Sequence, residues 1–111
     1  MSTSSDDREP VTFINIFEIA EEDVPAFAEK WEERAAIMSK KPGFIDTKLH
    51  RARAADGRFQ LVNVAHWESE EAWAEAGADP EFATRAHAAR DSEETPVKAN
   101  PGLYDVVVRF P

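Results

Sequence analysis

Residues 10–19, Pro-Val-Thr-Phe-Ile-Asn-Ile-Phe-Glu-Ile, form the run that most restricts the fold of this chain. Their β-branched and aromatic content marks a strand. Val11, Phe13, Phe17 and Ile19 share one side of it with Asn15, while Ile14 and Ile16 take the other. A strand of an antiparallel sheet with one wet face alternates apolar with polar residues, and this one does not. The segment Leu103–Phe110 reads the same way, with Leu103 and Val107 on one side and Tyr104, Val106, Val108 and Phe110 on the other. A chain of 111 residues supplies a single core, so one layer of helices covers one face only. A second copy covering the other face, in a two-fold homodimer, is the arrangement this pattern predicts.

The rest of the chain supplies the helices and the other strands. Residues 1–9 are polar and aperiodic and read as a disordered tail, leaving 10–111 as one domain. Asp23 is placed to cap a helix with Pro25 in its first turn. Val24, Phe27, Trp31, Ala35 and Met38 recur at steps of three and four as one buried stripe, and Pro42-Gly43 ends it. A strand over Phe44–Arg53, a tight turn at Asp56-Gly57 and a strand over Arg58–Trp67 follow. Ser69 and Asp79-Pro80 mark two helix starts, the second helix turning Phe82 and Ala86 inward and ending by Arg90. The last strand is Leu103–Phe110, after a loop with Pro96, Pro101 and Gly102. The order β-α-β-β-α-β predicts an α+β, ferredoxin-like fold. Its four-stranded antiparallel sheet has strands 1 and 3 at the centre and both helical segments on one face.

Charge and composition remove several function classes. Thirteen Lys and Arg stand against 22 Asp and Glu, a net charge of -9, which disfavours nucleic acid as a partner. With no Cys there are no disulfides, thiolate metal sites or Cys nucleophiles. No apolar run reaches membrane-spanning length and no signal-peptide core is present, so a cytoplasmic protein is expected. His50, His66 and His87 are isolated from one another, which gives no support for a dedicated zinc or iron site. The four Gly form no phosphate-binding loop.

What remains is a pair of asparagines in apolar strands. Asn15 lies between Ile14 and Ile16, and Asn63 between Val62 and Val64. A buried amide without partners costs a few kcal/mol, so its groups must be met. Either the two side chains bond each other or a buried water, or they line a pocket between sheet and helices and present donors to a ligand oxygen. Trp67 shares the parity of Asn63 about 13 Å further along the strand, placing its indole as an apolar wall at the rim. Trp31 and Trp73 read as helix-to-sheet packing, with Trp73 also able to close a pocket. His66 has the opposite parity and points away. His87, near Arg85 on the last helix, reads as a solvated side chain, a general base or a haem ligand.

Val11–Ile19, the corner Lys41-Pro-Gly-Phe44, and Val62–Trp73 with its Trp-x-Ser-x-x-Ala pattern together resemble the antibiotic biosynthesis monooxygenase family over about residues 10–110. Within it the chain is most similar to small cofactor-independent anthrone oxygenases of aromatic polyketide pathways. The resemblance implies a dimeric α+β barrel and oxidation of an anthrone or related polycyclic phenol to a quinone with O2, without metal, flavin or haem. It implies catalytic roles for Asn15, Asn63 and Trp67, with Trp73, Phe17, Phe82, Arg85 and His87 as substrate-binding candidates. Two positions depart from it: Trp73 stands where a Tyr is common, and Arg85 matches a helix Arg only with the register shifted by one. A second branch of the family degrades haem. Asn15 fits that branch, but its helix Trp falls near Ala76 and its iron-ligating His nearer Arg85 than His87. A non-catalytic ligand-binding dimer is the third reading.

Overall fold

The computed structural model describes residues 10–90 and 96–111, with side chains through residue 85 and again from residue 96. The expected tail at 1–9 lies outside the described residues. Strand β1 (Val11–Ile19) runs through a 3-10 turn at Glu21–Asp23 into helix α1 (Val24–Met38). The hairpin of β2 (Phe44–Arg51) and β3 (Phe59–Trp67) follows, then helices α2 (Glu70–Gly77) and α3 (Pro80–Arg90) and strand β4 (Val97–Tyr104). The strands pair antiparallel in the order β2-β3-β1-β4, with β1 and β3 central as the sequence predicts.

Local chemistry places each helix against the sheet. Asp23 stands before α1, but its side chain makes no capping bond; the start is set by the Asp23 N–H to Ala20 O bond (2.9 Å) and by Pro25. Ser69 caps α2 by accepting from the Ala72 N–H at 3.1 Å. Asp79 caps α3 more fully, accepting from the Glu81 and Phe82 N–H groups at 2.9 and 3.1 Å. The other oxygen of Asp79 pairs with Lys41, tying the α2–α3 junction to the corner before β2. That corner requires glycine. Gly43 has φ +86°, and a Cβ there would run into the Ala72 side chain. The Gly43 carbonyl in turn accepts from the Glu68 N–H at 2.7 Å.

The core has two parts. Phe17, Ile19, Val24, Phe27 and Leu61 form one, and Ala65, Trp67 and Ala76 the other. On the central ladder Phe17 faces Leu61, Asn15 faces Asn63 and Phe13 faces Ala65, so the asparagine pair separates the two clusters.

Two expectations change. The last strand is not Leu103–Phe110 but Val97–Tyr104, with Pro101 opposite Asn15 and Gly102 opposite Ile14. An edge strand needs only one of its two rows of ladder bonds, so proline is accommodated where a central strand would exclude it. Residues 105–111 continue as an unpaired tail in which Val107 is 91 % exposed and Phe110 84 %. The β2–β3 connection is likewise not a tight two-residue turn. Beyond Arg51 the pairing ends with the Ala52 N–H to Gln60 O bond (2.8 Å), and a wider loop follows. The buried Gln60 amide holds that loop by donating to the carbonyls of Ala54, Ala55 and Gly57.

The face of the sheet away from the helices keeps its apolar stripe. Ile14 and Val64 are register partners, as are Ile16 and Val62, and all four are only half-buried. The Asp46–His66 pair (2.7 Å) stands beside them.

Candidate active site

Between the helices and the opposite face of the sheet lies a cavity of about 250 Å³. Its floor is the central ladder: Phe13, Asn15 and Phe17 from β1, Asn63, Ala65 and Trp67 from β3. Phe27, Trp31 and Met38 of α1, with Trp73 of α2 and Phe82 of α3, close the other side. The strand period of two puts the residues at 13, 15 and 17 and at 63, 65 and 67 on this one face.

The two asparagines do not bond each other. The Asn15 side-chain oxygen accepts from the Asn100 N–H at 3.1 Å, and the Asn63 oxygen accepts from the Thr47 hydroxyl at 2.5 Å. Thr47 is opposite Ala65 in the β2–β3 register and therefore reaches Asn63 as a diagonal neighbour. Asn100 also donates from its own amide to Ile16 O at 2.8 Å, which fixes β4 at this point. Both side-chain oxygens are thus engaged by the protein, and among the described residues neither amide nitrogen has an acceptor. Asn63 is 8 % exposed and lines the cavity.

Trp67 is 2 % exposed and packs edge-on against Phe44, ring centroids 5.3 Å apart. It forms a buried wall of the cavity, where the sequence placed it at the rim. Its indole N–H donates to no described residue. Trp73 lies on Phe13 at 5.6 Å, and Phe17 against Phe27 at 5.0 Å. Of the expected substrate-binding residues, Trp73, Phe17 and Phe82 line the cavity. Arg85 does not. It stands on the surface, bonded to Glu33 at 2.9 Å and near Glu81 at 3.6 Å, because its i, i+4 acid and an acid of α1 both lie outside the cavity. The His87 side chain lies outside the described residues. His50 and His66 are on the other face of the sheet, His50 beside Val62 O and His66 beside Asp46.

Sequence reasoning missed Arg34 and Thr47. Arg34 is seven residues beyond Phe27 and three beyond Trp31, so it continues the apolar stripe of α1 that the periodicity had marked. Its guanidinium lies 5.4 Å from the Phe27 ring centre. Burial pushes it below the usual arginine range, while Glu33 acts in the opposite sense. It stays charged in a folded protein.

Haem would need an axial ligand in this cavity: a His, Cys, Tyr or Met side chain. Among the described residues that line it only Met38 qualifies, Tyr104 and two of the three histidines being elsewhere. The position of the expected helix Trp is held by Ala76, 2 % exposed in the second core cluster. The described residues contain no group of three or more His, Asp or Glu side chains able to hold a metal ion. No described helix is long and apolar enough to cross a membrane.

A family model for antibiotic biosynthesis monooxygenases matches residues 10–89. Deoxynogalonate monooxygenase of Streptomyces nogalater is 35 % identical over 85 residues, which are 76 % of this chain and 69 % of that protein. The crystal structure of SnoaB, a cofactor-independent oxygenase from Streptomyces nogalater, superposes with a TM-score of 0.75 at 30 % identity, covering 93 % of this chain and 98 % of SnoaB. The mycobilin-producing heme oxygenase of Mycobacterium tuberculosis is 29 % identical over 99 residues, 89 % of this chain and 90 % of that one. Matched by the family model over residues 10–89 and sharing its fold with SnoaB along most of its length, the chain belongs to the antibiotic biosynthesis monooxygenase family.

Proposed function

We propose that this monooxygenase oxidises an anthrone or a related polycyclic phenol to a quinone with O2, without metal, flavin or haem. One observation carries the reading: in a cavity lined mainly by aromatic and aliphatic side chains, two neighbouring amides have their oxygens held by Asn100 and Thr47, which leaves N–H donors for a ligand. The likeness to SnoaB and to deoxynogalonate monooxygenase supports the same reading.

The chemistry asks little of the protein beyond charge stabilisation. Triplet O2 is slow with closed-shell molecules, but an anthrone that has lost a proton is an electron-rich enolate able to pass it one electron. The radical pair then combines to a peroxide. Loss of water leaves the carbonyl, so that one anthrone and one O2 give one quinone and one water. Asn15 and Asn63 stabilise the enolate oxygen as its charge develops, the logic of an oxyanion hole. Trp67, Trp73 and Phe82 hold the flat ring system and keep water out. The working unit in this reading is a homodimer, supported by the half-buried stripe of Ile14, Ile16, Val62 and Val64.

Oxygen uptake by the chelator-treated protein with 1,8-dihydroxyanthrone tests this, with the quinone followed by its visible absorbance. A rate no greater than uncatalysed autoxidation overturns it and leaves a ligand-binding role. The heme oxygenase relative favours a second reading, haem binding through His87. A Soret shift with stoichiometric haemin, lost in His87→Ala, supports that alternative, and no shift eliminates it.

A further inference from the structure

Among the described residues Arg34 is the one charged side chain on a cavity wall that is otherwise aromatic, aliphatic or amide, with the Thr47 hydroxyl. A guanidinium has five N–H donors in a fixed fork and no acceptor. Among the described residues Arg34 makes no ion pair and no side-chain hydrogen bond; its contact is the face of Phe27 at 5.4 Å. The nearest acid on its own helix, Glu33, is turned outward to Arg85 at 2.9 Å. Arg34 is half-buried, and even partial burial of a cation without an anion opposes folding, in line with its lowered pKa. Leucine or methionine would complete the α1 stripe at no such cost. Arg34 also stands on the helical wall, across the cavity from the asparagine amides on the sheet. A rigid polycyclic ligand with an oxygen at the amides therefore has its far edge toward α1.

We propose that Arg34 is a specificity-determining residue that receives a carboxylate on the edge of the substrate, so that this enzyme selects acidic polycyclic aromatics over neutral ones. The proposal rests on the oxidation reading above for the ring system, but not for the binding preference itself. An Arg–carboxylate pair is often bidentate and gains strength where water is excluded.

The test compares two ligands that differ only in the acid: 1,8-dihydroxyanthraquinone and its 3-carboxylate derivative, at neutral pH where the carboxyl is ionised. Quenching of Trp31, Trp67 and Trp73 fluorescence gives both affinities. The native protein is expected to bind the carboxylate at least about tenfold more tightly, as expected for a hydrogen-bonded charge. In Arg34→Gln that ratio falls to about one, and Arg34→Lys retains part of it because the charge remains without the fork. Thermal melts establish that each variant is folded. A ratio near one in the native protein overturns the proposal, even if Arg34→Gln does not fold. So does an unchanged ratio in folded Arg34→Gln, or failure of both ligands to bind. Carboxylate preference with no oxidation of either matching anthrone sinks the oxidation reading and leaves this one standing. Oxidation of the neutral anthrone with a ratio near one does the reverse.

Discussion

Asn15 and Asn63 are direct partners across the β1–β3 ladder, yet each has its side-chain oxygen bonded to a different strand: Asn15 to the Asn100 backbone of β4, Asn63 to the Thr47 hydroxyl of β2. All four strands of the sheet thus take part in setting two amide groups. This arrangement stiffens the donors before any ligand arrives, which is what electrostatic stabilisation of a developing charge requires.

Removing a donor is expected to cost rate more than stability. Asn63→Ala should lower kcat for anthrone oxidation by roughly 10²- to 10³-fold. Thr47→Val keeps the Asn63 amide but frees it to rotate, so a smaller drop in kcat is expected with the fold retained. An oxygen electrode and thermal melts measure both. An unchanged kcat in Asn63→Ala rules out the charge-stabilising role.

Trp67 carries both packing and wall. Trp67→Ala should destabilise the protein by about 3–5 kcal/mol in urea unfolding, as expected for truncating a fully buried aromatic. Trp67→Phe fills most of the space, loses the indole N–H and should melt closer to the native protein while showing a reduced kcat. If its kcat is native, Trp67 serves packing alone.

Asp79 makes the stability depend on acid. Lys41 beside it, and then the Phe82 N–H, hold its carboxyl below its ordinary value of 3.8. The folded state therefore favours the charged form, and the resulting stabilisation is complete above that ordinary value. It is lost as pH falls through the lower folded one. Asp79→Asn, which still caps α3, should have a lower Tm than the native protein at pH 7. The gap should close as pH drops well below 3.8. A gap that persists in strong acid assigns the effect to the cap instead.

The uncovered face predicts association. Light scattering after size exclusion, at micromolar concentration, should give twice the mass of a single chain. Ile14→Lys or Val64→Lys should shift that toward one chain, since either buries a charge in the stripe. A native protein that runs as a monomer would overturn the homodimer.

Much of this site was legible because strand parity is strict. A period of two groups Phe17 with Asn15 and Trp67 with Asn63, and sends His66 to the other side of its strand; the β1–β3 register then joins the two groups on one face. The helix period gave the Phe27–Trp31–Met38 stripe, and Arg34 was readable from it by spacing. A cation on a helix is ordinarily solvated, so spacing alone does not single it out. The last strand was misplaced by its proline, a strand breaker everywhere except at an edge, and which strand lies at the edge is a property of the assembled sheet.

The sequence by itself determined the order of elements, the central strands and the two-sided apolar pattern, because those follow from short-range periodicity and from turn and cap chemistry. Only the tertiary structure decided that Thr47 and Asn100 hold the asparagine oxygens, that Arg85 belongs to the surface, and that Arg34 meets the cavity with no acid paired to it among the described residues. These facts depend on which atoms meet across 16, 85 or 52 residues of chain. Contacts at such separations arise from packing, which no local pattern encodes.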